Sequence, residues 1–374
     1  MLNSLKTKCR FFKSDRPCIY HKQKGVTCNG CSYYSHIDFK ILVIKLDAMG
    51  DVLRTTCILQ GLKEKYPNSQ ITWITKGESI PLLENNPFID VLWSLEDNVT
   101  LMLLTEEFDL IINPDASSTS ARLATIAKSR KKLGFGYHQQ GYVYPFNVEA
   151  APWFEMGVND SLKKANTNTY QKIILDICRL NPSEYELIFN LTQEEKEFAK
   201  EFAKNYKIES TCQVIGLNTG AGGRWAQKKW TEEGYLSLIR LLIKDSIDVR
   251  ILLYGGPEEK ERNNYLKKKA NTELVIDTGS NNTIRQFAAL LNISNVVVTG
   301  DTLAMHLAIA LKKKLVVLFG PTSYYEIDLY NRGSKIYPDM NCLVCYKQMC
   351  DKSPTCMEAI TPESVYQAIN NLLL

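Results

Sequence analysis

Short, continuous apolar runs alternate along the chain with stretches whose apolar residues recur every three or four positions. The first run is FKILVIKL at residues 39–46, rich in branched side chains. Such a run fits a strand buried on both faces of a parallel sheet. The loop DAMGD follows and leads into a helix-like stretch that ends at Tyr66-Pro67. Further strands are expected at residues 71–75, 90–95 and 108–114, and helices at 118–128 and 170–180. Residues 134–168, rich in Gly, aromatics and Asn, read as a long loop region rather than regular structure.

The pattern changes around residues 181–191, where a crossing between domains is expected. A second series then begins, with strands at residues 212–218, 249–256, 274–277, 295–300 and 314–320. Helices are expected between them at residues 231–244, 257–270, 283–291 and 303–311. The segment PESVYQAINNLLL closes the chain as an amphipathic helix, with Thr361 as N-cap and Pro362 in its first turn. Strands alternating with helices imply right-handed βαβ units, and so an α/β protein with two doubly wound domains. The length of 374 residues suits two such domains.

Composition alters this picture little, with one exception. With 45 basic and 41 acidic side chains the net charge is only +4, which makes no case for nucleic acid. No apolar run reaches 18 residues, and the first ten residues lack the apolar core of a secretory signal. A cytoplasmic protein is expected, with peripheral contact to a membrane surface left open.

The exception is cysteine. Eight of the 11 lie in two clusters: Cys9, Cys18, Cys28 and Cys31, and Cys342, Cys345, Cys350 and Cys356. In a reducing compartment such clusters bind metal more often than they form disulfides. Four thiolates within a short loop suit a tetrahedral structural site for zinc or iron. The first cluster is looser. Its Cys28-x2-Cys31 knuckle supports a second site, with His21 as a substitute ligand. Residues 1–38 therefore read as a metal-organised appendage and residues 340–358 as a metal loop.

Ligands of an open parallel sheet bind beyond the carboxyl ends of its strands. After the first strand stand Asp47 and Asp51. Asp51 falls at a helix start, where an Asp serves either as an N-cap or as a general base for an acceptor hydroxyl. Arg54, one turn on, is either a surface charge or a hold for an anionic acceptor group. After the first strand of the second series comes Thr219-Gly220-Ala221-Gly222-Gly223-Arg224, a backbone nest suited to phosphate oxygens. Arg224, Lys228 and Lys229 add positive charge beside it, in an arrangement that is not a Walker A loop. Asp301 and Thr302 open a later helix, either as caps or beside a second anion. His306 follows, and a lone His on an apolar helix is usually a core residue. Gly255-Gly256 permit close backbone approach, and Glu258 after them suits ribose hydroxyls. Gly320-Pro321-Thr322 ends a further strand and completes a set of phosphate-compatible turns.

The stretches VIKLDAMGDVLRTT, GLNTGAGGRWAQKKW, VTGDTLAMHLAIAL and LFGPT, in this order, resemble glycosyltransferase family 9, the ADP-heptose heptosyltransferases. The resemblance implies a GT-B fold, two Rossmann-like domains facing a cleft. Residues 39–185 would form the acceptor domain, with the closing helix at 361–374 packed back on it. Residues 190–335 would bind a nucleotide-sugar donor, ADP-heptose foremost. The acceptor would be a glycan, a lipid-linked glycan or a protein side chain. The resemblance further implies inverting transfer without a catalytic metal. Asp51 would be the base and Lys228 would face the diphosphate. Thr219, Gly220 and Arg224 would line the donor loop, with Asp301, Thr302 and His306 near the donor. Leu303 departs from the Gly that many members carry after the Asp-Thr pair. Some members that modify proteins carry a cysteine-bound iron, so the metal stays open between zinc and iron. Two other functions compete: a non-catalytic nucleotide- or partner-binding module, and a nucleotide-sugar epimerase, whose carboxylate and His placement finds no match here. The oligomeric state, homo-oligomer included, is left open.

Overall fold

The structure is a computed structural model that describes residues 4–181, 185–222, 227–245 and 248–374. It divides into two compact units. The first comprises Met1–Ala48, Cys57–Glu155 and Ile174–Tyr185, and the second comprises Met49–Thr56, Met156–Ile173 and Glu186–Leu374.

The sheet of the first unit contains β1 (Phe39–Ile44), β2 (Ser69–Thr75), β3 (Val91–Ser94), β4 (Glu107–Asn113), β5 (Lys128–Tyr137) and β6 (Val143–Pro145). Their spatial order is β3-β2-β1-β4-β5-β6. The first five strands pair in parallel, and β6 is antiparallel to β5. Ile41, Leu42, Val43 and Ile44 of β1 are fully buried, as a central parallel strand requires.

The helix expected up to Tyr66 is two helices, Met49–Thr55 and Ile58–Lys65. The Thr55 hydroxyl donates to the Asp51 carbonyl and the Thr56 hydroxyl to the Leu53 carbonyl. Such back-bonding competes with the helical ladder. The break also falls where the chain passes from one unit to the other.

Residues 134–168 are not the irregular loop that their composition suggests. They complete β5, turn back as β6, and continue as the helices Ala151–Val158 and Asp160–Ala165. The charged start of β5, Lys-Ser-Arg-Lys-Lys, hides the strand from an apolar pattern. Gly134 sits at φ +90°, where a β-carbon would fall 1.9 Å from the Asn113 carbonyl oxygen. The glycine therefore marks a close strand approach and not a flexible loop.

The second unit repeats the plan with β7 (Gln213–Asn218), β8 (Val249–Tyr254), β9 (Val275–Asp277), β10 (Val296–Gly300), β11 (Lys314–Leu318) and β12 (Gly333–Ile336). All pair in parallel, in the order β12-β11-β10-β7-β8-β9. Counted from its own first strand, each sheet has the Rossmann order 3-2-1-4-5-6. The sequence pattern passes over two elements here. One is β12, which has no fully buried residue. The other is the polar helix Gln193–Asn205, although its capping box, Thr192 with Glu195, is a readable start signal.

The closing helix, Pro362–Leu373, begins at Thr361 as expected and belongs to the second unit, not to the first, with which the resemblance groups it. Val365, Ala368 and Ile369 are spaced to share one face. They are buried in the core of the second unit with Ile215, Leu217, Val298 and Val316. The Trp230 indole nitrogen donates to the Ile360 carbonyl just before the helix, at 3.1 Å.

Candidate active site

In the second unit the strand order reverses between β7 and β10, and a crevice opens at their carboxyl ends. Thr219 to Gly222 leave β7 there, and Asp301 and Thr302 leave β10. A cavity of about 310 Å³ lies at this point, lined among others by Gly220, Gly222, Gly256, Asn282, Phe287 and Thr302. The Asn218 amide ties its two sides together, reaching the Gly220 carbonyl at 3.1 Å and the Thr302 hydroxyl at 3.3 Å.

Not every expected residue faces this cavity. The buried Thr219 hydroxyl donates to Asn263 Oδ1 at 2.6 Å, so it holds the loop to its neighbour. Glu258 is exposed. Glu259 is the buried carboxylate, accepting from the Gly256 amide at 3.1 Å and from Lys229 Nζ at 3.0 Å. A β-carbon on Gly220 would fall 2.7 Å from that carboxyl carbon, which explains the glycine. Arg224 lies outside the described residues.

Lys228 reaches across to the end of β10. Its Nζ donates to Asp301 Oδ2 at 2.7 Å and to the Asp301 carbonyl at 3.2 Å. The Thr322 hydroxyl, from the turn after β11, donates to the same carboxylate oxygen at 2.9 Å. Burial works to raise the Asp301 pKa. The charges of Lys228 and His306 and the two hydrogen bonds overcome it and hold the pKa at about 2. His306 sits on the helix Leu303–Ala310 and is buried. Its pKa is lowered to about 4, first by burial and then by Arg54. The imidazole is therefore neutral at pH 7. His306 is both the core residue its surroundings suggest and a neighbour of the charged cluster.

Asp51 stands in the first turn of Met49–Thr55, with its side chain 37% exposed. Arg54 is buried, and its Nε lies 2.9 Å from Asp51 Oδ1. The geometry is that of an ion pair rather than an aligned hydrogen bond. Arg54 also pairs with Glu326 at 3.9 Å and lies 3.6 Å over the Tyr170 ring. Burial opposes its charge. Asp51, Tyr170, Glu326 and Asp301 outweigh burial and raise its pKa. Arg54 is thus not a loose surface charge. Asp47, the rival carboxylate, belongs to the first unit and is engaged by Lys76 Nζ at 2.7 Å.

Glu326 and Tyr170 were not legible in the sequence, and a third residue links them to the cysteine loop. The Tyr346 hydroxyl donates to Glu326 Oε1 at 3.1 Å. Tyr346 directly follows Cys345. Its amide donates to the Pro321 carbonyl at 2.8 Å, and the Val344 amide to the Gly320 carbonyl at 3.2 Å. The loop therefore docks on the turn that delivers Thr322 to Asp301. Cys342, Cys345, Cys350 and Cys356 line one small cavity of about 60 Å³. These four thiols form no disulfide. Among the described residues, no three His, Cys, Asp or Glu side chains already stand at metal-holding separations.

The model of glycosyltransferase family 9 (heptosyltransferase) matches residues 99–355, more than half of the chain. The chain belongs to glycosyltransferase family 9. Lipopolysaccharide heptosyltransferase 1 of Campylobacter coli is 22% identical over 352 residues, spanning 89% of this chain and 98% of that protein. Lipooligosaccharide heptosyltransferase 2 of Campylobacter jejuni is 28% identical over 180 residues. That match spans 47% of this chain and only 56% of the relative's length. Among solved structures, a family 9 glycosyltransferase from Veillonella parvula superposes with a TM-score of 0.73 at 19% identity, covering 90% of this chain and 97% of that one. The ADP-heptose lipopolysaccharide heptosyltransferase II of Escherichia coli gives 0.66 at 20%, covering 89% and 98%. An iron-containing dodecameric glycosyltransferase of enterotoxigenic E. coli gives 0.52 at 11%, covering 90% and 76%. These likenesses establish the two-domain, Rossmann-like α/β fold of family 9. The segment before residue 39 lies outside the family match. Among the described residues no helix is long and apolar enough to cross a membrane.

Proposed function

We propose that this family 9 protein transfers heptose from ADP-heptose to a hydroxyl of a lipopolysaccharide-type core glycan, with inversion and without a catalytic metal. The observation that carries the reading is the grouping of the half-exposed Asp51 carboxylate with the crevice and basic cluster of one unit. His306 lies within electrostatic reach of Asp51, Arg54, Asp301 and Lys228. The names of the relatives support the choice of donor and acceptor.

In this mechanism the donor diphosphate lies along the Gly220–Gly222 backbone, with Lys228 beside it. Asp51 takes the proton from the acceptor hydroxyl as its oxygen attacks the anomeric carbon. The bond from that carbon to the diphosphate oxygen breaks on the opposite face, which inverts the centre. The leaving charge settles on the loop amides and on Lys228, which Asp301 holds in place while Thr322 steadies that carboxylate. Arg54, braced by Glu326 and Tyr170, keeps Asp51 oriented.

The thiols of Cys342, Cys345, Cys350 and Cys356 fit a tetrahedral zinc or iron ion by donor chemistry, and the Lys352 amide already donates to Cys350 Sγ at 3.5 Å. A metal there would supply a cross-link that stiffens the loop carrying Tyr346, and no reacting group.

The test is ADP release from ADP-heptose with core glycan acceptors, run beside calorimetric titration of ADP. Asp51→Asn is expected to bind ADP normally and to lose about 10²-fold or more in turnover. Equal ADP binding by both proteins, with no turnover by either, would turn the assignment to a nucleotide-binding module.

A further inference from the structure

Residues 4–38 present a physical puzzle: not one of their side chains is fully buried. Yet the segment has defined structure. Cys9 and His36 form an antiparallel bridge, which brings its two ends together. The helix Ile19–Lys24 starts at Cys18. Phe11 packs edge-on to Tyr20 at 4.8 Å, and Tyr20 stacks on Tyr33 at 4.1 Å. A segment this short, without a core, cannot offset its ordering entropy by apolar burial. Small domains of this kind are usually held by a covalent or metal cross-link.

All four of its cysteines line one cavity of about 360 Å³. Two local features prepare them as ligands. The His21 amide donates to Cys18 Sγ at 3.5 Å, a contact that orients the sulfur. In Cys28-Asn29-Gly30-Cys31, Gly30 takes φ +66°, a turn that brings two nearby thiols toward one centre and that a side chain would resist. His21 lines the same cavity, but its Nδ1 faces the Val26 carbonyl at 2.9 Å.

We infer that Cys9, Cys18, Cys28 and Cys31 close on one zinc ion as a tetrahedral tetrathiolate site, separate from the C-terminal cysteine loop. The ion replaces four thiol protons, which pass to solvent, and no redox change is involved. The site fastens the segment to the first unit. Arg10, next to Cys9, pairs with Asp90 and donates through Nη2 to the Ser69 carbonyl at 2.9 Å. Asp90 also accepts from the Ile71 amide at 2.8 Å and from Lys63 at 3.0 Å. A zinc ligand at Cys9 thus sets the backbone that delivers Arg10 to the start of β2.

The experiment uses the full chain, stripped of metal under reducing conditions and divided into samples with and without zinc. Alkylation of each cysteine is followed by peptide mass spectrometry. Zinc is expected to slow the reaction of Cys9, Cys18, Cys28 and Cys31 together, about tenfold or more. Cys28→Ser is expected to abolish protection of the other three, to lose about one zinc per chain, and to leave ADP binding unchanged. Equal alkylation rates with and without zinc would overturn the site. So would protection that persists in Cys28→Ser, or a zinc content unchanged by that substitution. Protection without zinc that vanishes on stronger reduction would show disulfides instead.

Discussion

The His306 ring lies so close to Gly50 that a β-carbon at residue 50 would stand 2.6 Å from His306 Cδ2. The glycine is therefore a packing requirement for the helices Met49–Thr55 and Leu303–Ala310. Gly50→Ala must displace the buried imidazole or separate the helices. A loss of about 1–3 kcal/mol is expected in urea denaturation, together with reduced turnover. Gly157→Ala is the control. Nothing lies within 4 Å of a β-carbon there, and alanine favours its helix, so stability should hold or rise slightly.

Lys228 and Asp301 form a pair that is mostly shielded from solvent. Removing the lysine leaves a mostly shielded carboxylate that still accepts from the Thr322 hydroxyl but has lost its cation. Lys228→Met is expected to destabilise the protein by on the order of 3 kcal/mol and to abolish ADP binding. Adding Asp301→Asn removes the stranded charge. The double variant should regain most of the stability but none of the ADP affinity. Recovery of both in calorimetry would show that Lys228 does not contact the diphosphate.

The buried His306 gives a pH signature with a definite sign. Its pKa falls from 6.5 to about 4 on folding. Between those values the unfolded chain binds the proton and the folded chain does not, so stability falls as pH drops from 6.5 toward 4. The shift corresponds to roughly 3 kcal/mol at most. Asp301 acts lower. Its carboxylate is held at about 2, so its contribution is intact above pH 4 and is lost only as pH falls toward 2. The melting temperature should thus decline between pH 6.5 and 4, and His306→Gln should flatten that decline. An unchanged slope would place the titrating group elsewhere.

Much of this was legible in the sequence, for identifiable reasons. The runs at β1, β7 and β10 are buried on both faces, so their apolar pattern survives intact, and the segments after them carry the candidate residues. The pattern failed where a strand is charged or short of buried residues, as in Lys128–Leu133 and Gly333–Ile336. For the closing helix the pattern shows that it packs without showing on which sheet, and its apolar face lies in the core of the second unit. At the candidate site, the places of Asp51 and Asp301 after strand ends, and of Lys228 in the loop that follows β7, could be read from the sequence. Glu259 was missed by one residue, since both glutamates follow the glycines and only the fold decides which turns inward. Glu326, Tyr170 and Tyr346 act through contacts between segments distant in sequence, which no local pattern records.

Those three residues lead to the prediction that ties the cysteine loop to catalysis. Arg54 divides its charge between Asp51 at 2.9 Å and Glu326 at 3.9 Å, while Tyr346 orients Glu326 from the loop. A carboxylate that must neutralise a cation alone is a weaker base. Glu326→Gln removes the second anion, so Arg54 should draw more strongly on Asp51. Turnover is expected to fall about tenfold with ADP affinity unchanged. Tyr346→Phe, which removes only the orienting hydroxyl, should act in the same direction and less. Where the loop holds the proposed metal, its chelation should imitate Tyr346→Phe in the wild-type protein and add little in the Tyr346→Phe variant. Additive losses from the two treatments would show that the loop supports the site by another route, such as the turn that carries Thr322.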